Sequence, residues 1–178
     1  MKRLLTVILC VLCLMSCERK KIKRTLKTFY KSEIMIPDDL TCIYKRTIRT
    51  ASADSFATCK FIVYYDTLDC SSCRVAHLND FAPMYELAED DDRFDMLIVF
   101  SPRADEIEDL KVELMRANYD FPIYIDEFGS FAAQNTCIPA ELLYHNFLIN
   151  KKGNPVFVGL PTFDENFKDV FYKVLEMR

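Results

Sequence analysis

Two cysteines separated by two serines, Cys70-Ser71-Ser72-Cys73, carry the clearest chemistry in this 178-residue chain. Cysteines three apart can close a small disulfide ring and reopen it, so one pair can be attacked, exchanged and re-formed. The pair follows a β-branched and aromatic run, Phe61-Ile62-Val63-Tyr64-Tyr65, and precedes a helical pattern from Arg74 to Ala88. In that pattern Val75, Leu78, Phe81, Ala82, Tyr85 and Ala88 recur close to helical spacing. A strand-to-helix junction puts Cys70 at the helix N-terminus, where unpaired N–H groups and the positive dipole end favour a thiolate. Cys70 is therefore expected to attack, and Cys73, one turn in and more buried, to resolve the mixed disulfide. Asp66 and Asp69 flank the site. Their charge disfavours the thiolate and makes the couple reducing. His77, four residues after Cys73, falls on the same helix face and is a candidate proton relay.

The elements that must position this pair follow in an ordered series. Ser32 to Ile36 and Cys42 to Ile48 read as short N-terminal strands around the turn cluster Pro37-Asp38-Asp39. After the strand at 60–65 and the cysteine helix comes Phe94 to Phe100, an apolar run suited to a parallel strand covered on both faces. Asp105 to Tyr119 carries Ile107, Leu110, Leu114 and Ala117 on one helical stripe. Phe121 to Ile125 reads as a strand, and Phe131 to Asn135 as a helical turn. Asn146 to Asn150 and Pro155 to Gly159 flank Lys151-Lys152-Gly153-Asn154, a hairpin turn. A last helix carries Phe167, Val170, Phe171, Val174 and Leu175, with Thr162 and Glu165 as a capping box. Strands alternating with helices require βαβ crossovers, hence an α/β fold with a central mixed sheet and helices on both faces.

The N-terminus reads as an address. Met1-Lys2-Arg3 precedes an apolar run from Leu4 to Met15, the length of a signal segment rather than of a membrane span. Residues 1–16 are expected to be a signal peptide, and Leu14-Met15-Ser16-Cys17 resembles a bacterial lipoprotein site with Cys17 lipidated. Residues 18–31 hold seven Lys/Arg against one acid, so 17–31 is expected to be a basic tether on anionic headgroups. The domain proper is then 32–178, with 14 Lys/Arg against 26 Asp/Glu. A body that acidic is repelled by nucleic acid, which excludes that class of partner. Beyond the pair, Cys42, Cys59 and Cys137 remain, an odd total for the mature chain; a Cys42–Cys59 disulfide is open at this stage. No pattern for a bound cofactor is present.

Over residues 60–175 the chain resembles thioredoxin-like lipoproteins related to membrane-tethered thiol:disulfide oxidoreductases of the TlpA/ResA group. The resemblance rests on Asp69-Cys70-Ser71-Ser72-Cys73, on Asp126-Glu127-Phe128-Gly129-Ser130-Phe131, and on Asn146-Phe147-Leu148-Ile149-Asn150-Lys151-Lys152-Gly153. It implies a thioredoxin-like fold, an envelope location facing the periplasm, and exchange with thiols or disulfides of other envelope proteins, with a membrane redox partner. The chain departs from the family in three places. Asp69 stands where tryptophan is usual, no proline lies between the cysteines, and Tyr144 and His145 occupy the place of the cis-proline. The resemblance makes Pro139, Tyr144 and His145 the substrate-facing loop. It also opens two alternatives: a copper-binding set of Cys70, Cys73 and His145, similar to SCO-type chaperones, and a non-catalytic binding module.

Overall fold

The two longest apolar runs form the middle of one seven-stranded sheet. The computed structural model describes residues 18–51, 58–69, 71–159 and 165–176. Strands β1 (Thr41–Tyr44) and β2 (Thr47–Thr50) form a hairpin, and β3 (Cys59–Tyr65) and β4 (Phe94–Phe100) pair in parallel. Every residue of β3 is buried; the apolar run Phe61 to Tyr65 lies between two covered faces, and the buried Lys60 is ion-paired to Asp95 on β4. β4 pairs in parallel with β5 (Ile123–Ile125), whose other edge takes β1 antiparallel. On the far side of β3, β6 (Asn146–Ile149) runs antiparallel and turns into β7 (Pro155–Val158). The strand order is β2-β1-β5-β4-β3-β6-β7.

Parallel neighbours need crossovers. The described helices are α1 (residues 18–29), α2 (Ser71–Val75), α3 (Ala82–Asp90), α4 (Ile107–Ala117), α5 (Ser130–Gln134) and α6 (Glu165–Glu176). Helices α2 and α3, joined by a 3-10 turn at Leu78–Phe81, carry β3 to β4, and α4 carries β4 to β5. Side chains alternate across each strand. Phe61, Val63, Tyr65, Ile98 and Phe100 pack under Val75, Leu78, Met84, Leu110 and Phe171. Ile62, Tyr64, Leu97 and Val99 face the other way, against Phe29, Ile34, Phe131 and Phe147.

Four expectations are corrected. The expected basic tether, 17–31, is packed on the domain in its described part: residues 18–29 are helical, and Phe29 is buried against Phe147 with ring centroids 5.2 Å apart. Its lysines and arginines hid an apolar stripe of Ile22, Leu26 and Phe29 at helical spacing. The packed unit therefore begins before Ser32. Residues 32–36 form no strand; Met35 exchanges 2.8 Å bonds with the Asn135 carboxamide, and the Ile34 N–H donates to Gly153 O. Residues 42–48 are two strands rather than one, because Lys45 and Arg46 both adopt positive φ, 47° and 60°. The expected helix from Arg74 to Ala88 breaks after Val75, and α3 starts anew with Pro83 in its first turn, where proline is tolerated.

Cys42 is a free, buried thiol on one face of the sheet and Cys59 packs in the core on the other, so the Cys42–Cys59 disulfide does not form. The signal segment, Cys17, Cys70 and the Thr162 cap lie outside the described residues. No helix among the described residues is long and apolar enough to cross a membrane.

Candidate active site

Three parallel strands end together, and the loops that leave them make one edge of the molecule. Backbone bonds tie this edge: Ser101 N–H to Tyr65 O at 2.8 Å, Asp126 N–H to Phe100 O at 2.8 Å, and Tyr64 N–H to His145 O at 2.9 Å. The cysteine segment, the loop after β4, the loop after β5 and the loop before β6 therefore meet at the carboxyl ends of β3, β4 and β5. That edge is where open α/β sheets place their sites.

The loop after β3 is a folded turn. Asp66 accepts the Leu68 N–H on its side chain at 2.8 Å and the Asp69 N–H on its carbonyl at 3.1 Å. The Asp69 carboxylate is buried, 6 % exposed. Arg74 donates to its Oδ1 from Nε at 3.0 Å and from a terminal nitrogen at 2.6 Å, and the Asp66 N–H reaches Oδ2 at 3.3 Å. The guanidinium also stands over the Tyr65 ring, 5.5 Å from its centroid. Asp69 and Arg74 bracket the CxxC in sequence and neutralise each other in space. This corrects the expectation that Asp69 adds net negative charge beside the thiols. Its signal was present in the sequence as opposite charges five residues apart around the cysteines.

Cys73 sits on α2 and is exposed, against the expectation of a more buried partner. Ser71 is buried and donates towards Glu106 Oε2 at 3.5 Å, while Glu106 is ion-paired to Arg103. His77 lies past the end of α2 in the break before the 3-10 turn, exposed, 3.6 Å from Asp80. The helix break removes it from the cysteine helix face, so the shared face on which its relay role rested does not exist.

The loop before β6 turns its expected contact residues inward. Tyr144 and His145 are buried, 2 % and 3 % exposed. Pro139 is half-buried, and no peptide bond among the described residues is cis. His145 packs beside Tyr64, ring centroids 5.3 Å apart, and its Nε2 bonds Pro139 O at 3.0 Å. Tyr64 and Tyr65 point to opposite faces, and α2 covers the Tyr65 face. The His145 ring is thus on the far side of the sheet from α2, and joining Cys73 and His145 in one metal set requires moving a buried ring across a strand. Among the described residues no three ligand side chains converge; Cys70 is not one of them. The large apolar side chains this loop exposes are Leu142 and Leu143.

A buried polar chain under the same edge went unnoticed in the sequence. Ser101 donates to Asp126 Oδ2 at 2.9 Å, and the Phe131 and Ala132 N–H groups donate to the two Asp126 oxygens at 3.0 Å. Asp126 thereby satisfies orphan donors at the start of α5. Burial pushes the Tyr64 hydroxyl up from its ordinary pKa, opposed by its bond with Ser101.

No protein-family model and no curated protein matches the chain. Among solved structures, a candidate thiol:disulfide interchange protein DsbE from Chlorobium tepidum aligns over 82 % of this chain and 98 % of that one, with TM-score 0.50 and 14 % identity. The C-terminal domain of a candidate thiol-disulfide oxidoreductase from Bacteroides thetaiotaomicron aligns over 83 % of this chain and 99 % of that one, with TM-score 0.50 and 17 % identity. At such identities the likeness is one of fold. Strand order, crossovers and these neighbours agree that the chain has a thioredoxin-like fold.

Proposed function

We propose that this protein exchanges disulfides with other proteins of the cell envelope through Cys70 and Cys73, acting as a reductase. The observation that supports it most is the placement of an exposed Cys73 on a short helix directly after β3, at the edge where all four site loops meet. In the proposed reaction the Cys70 thiolate attacks one sulfur of a partner's disulfide. A mixed disulfide forms, and the partner's other sulfur leaves as a thiolate that takes a proton. The deprotonated Cys73 then attacks Cys70, closing the Cys70–Cys73 ring and releasing the partner's second thiol. Two electrons pass to the partner, and a membrane redox partner restores the dithiol. In this reading Cys17 carries a lipid that holds the domain at the membrane, facing the periplasm.

With Asp69 neutralised, Asp66 is the remaining acid before the pair, and its Oδ1 is occupied by the Leu68 N–H. The test is thiol trapping of the full chain across glutathione and dithiothreitol buffers, with reduction of insulin as the activity. A reversible two-electron couple at or below the potential of thioredoxin, about −270 mV, supports the reductase reading. A pair that never cycles, or Cys70→Ser retaining full insulin reduction, refutes exchange by this pair. A strongly oxidising potential refutes the direction alone.

A further inference from the structure

Away from the cysteine edge, a cavity of about 640 Å³ opens between the β1–β2 turn, α3 and the connection from α4 to β5. Part of its wall is aromatic. Tyr44, Tyr85, Tyr119 and Phe121 line it, with Tyr85 and Tyr119 packed on Phe121 at centroid distances of 5.5 and 5.2 Å. The Tyr119 hydroxyl donates to Val75 O at 2.5 Å, which fixes that ring. Burial and a bond to Glu89 push the Tyr85 hydroxyl well above its ordinary pKa, so the ring stays neutral.

The rim is acidic: Glu86, Glu89 and Asp120 stand against a single cation, Lys45. That cation already shows what the cavity prefers. The Lys45 ammonium sits over the Tyr44 ring at 4.9 Å, and Tyr44, then Asp120 and Glu89, hold its pKa up. The Arg49 guanidinium stands on the same ring at 5.7 Å. Elsewhere the chain repeats the pairing, with Arg74 on Tyr65 and Arg93 on Tyr172. The turn that delivers Lys45 holds it and Arg46 at positive φ, and Asn118 across the cavity has φ 53°. These are the only non-glycine residues in that region of backbone space among the described residues, a cost ordinary turn residues would avoid.

We propose that this cavity binds the guanidinium of an arginine side chain presented by a partner polypeptide. Tyrosine faces attract a planar cation through their quadrupole, and carboxylates at the rim supply matching acceptors. The cavity binds by charge and ring stacking and does not depend on the chemistry of Cys70 and Cys73.

The probe is N-acetyl-L-arginine amide, with the uncharged N-acetyl-L-citrulline amide as control, titrated into the full chain. Tyrosine ring resonances report binding, because the chain has no tryptophan and nine tyrosines. The expected result is saturable movement of the Tyr85 and Tyr119 signals by arginine amide, with Kd on the order of 1 mM for one side chain. Citrulline amide leaves the signals in place. Glu86→Gln with Glu89→Gln weakens binding about five- to tenfold, and Lys45→Ala, which removes the competing cation, tightens it about threefold. These are surface changes that leave the core intact. No saturation by arginine amide, an equal response to citrulline amide, or an unchanged Kd in the double glutamine variant overturns the proposal.

Discussion

Arg74→Met isolates the charge balance beside the cysteines. Methionine keeps the apolar stem of the arginine and removes the guanidinium, so the Asp69 carboxylate, with its side chain 4 % exposed, loses both charge-assisted bonds. Stripping one partner from a buried ion pair costs about 3–5 kcal/mol, chiefly for the charge left behind. Two features reduce that figure here: the Arg74 side chain is 38 % exposed, and the Asp66 N–H still reaches Asp69 Oδ2. The expected loss is therefore about 2–3 kcal/mol. In a domain of this size that lowers Tm by roughly 4–12 °C, at ~2–4 °C per kcal/mol. Asp69→Asn keeps acceptors for Arg74 and costs less. The double variant recovers part of the loss, with a coupling of about 1–2 kcal/mol. Urea and thermal unfolding of the four proteins, all held oxidised, give the cycle. A Tm for Arg74→Met within 1 °C of the parent, or strict additivity in the double variant, would refute the claim that Asp69 is a buried, compensated charge.

Three further outcomes follow from the packing. Gly153→Ala brings a Cβ within 2.6 Å of the Ile34 carbonyl at φ +80°, whereas Gly129→Ala at φ +70° meets nothing within 4 Å; the first should cost about 2–3 kcal/mol in urea unfolding and the second about 1. Phe29→Ala should destabilise by about 3–4 kcal/mol, as for any large core residue, while a tether residue would cost nothing. Tyr65 and Tyr124 are both held by burial at a pKa of about 12. Their folded values exceed the unfolded value near 10, so the stability they contribute is complete below pH 10 and is lost between pH 10 and 12, at about 1.4 kcal/mol per pH unit for each. Absorbance at 295 nm during alkaline unfolding checks this: ionisation of all nine tyrosines near pH 10 with the fold intact would contradict it.

Strands were legible wherever the apolar run was long and the partner lay in a crossover unit. The runs at 60–65 and Phe94 to Phe100 have no alternative to a covered sheet, and those read boundaries match β3 and β4 within one residue. Reading failed where local pattern and tertiary contacts disagree. Residues 32–36 have strand composition, yet their donors and acceptors go to Asn135 and Gly153, about a hundred positions away, which no local window contains. The basic residues of 18–31 masked the stripe ending at Phe29. At the site, the placement of the CxxC segment after β3 was readable, because a strand-to-helix junction has few geometries. Side-chain direction was not. The inward turn of His145 depends on its register opposite Tyr64, and the neutralisation of Asp69 depends on a five-residue helix whose end lies between Val75 and Pro83.

The docked α1 bears on how the proposed protein meets its partners. A helix of twelve residues spans about 18 Å; α1 packs on the domain at its far end through Phe29, and near its start the exposed Lys21 bonds Glu141 at 2.9 Å in the loop before β6. With a lipid on Cys17, directly before that helix, the packed domain would stay within a short reach of the bilayer. Reach would then come from the partners: a substrate disulfide has to lie in a narrow layer near the membrane surface to meet Cys70, and proteins whose disulfides sit deeper in the periplasm would be outside its range.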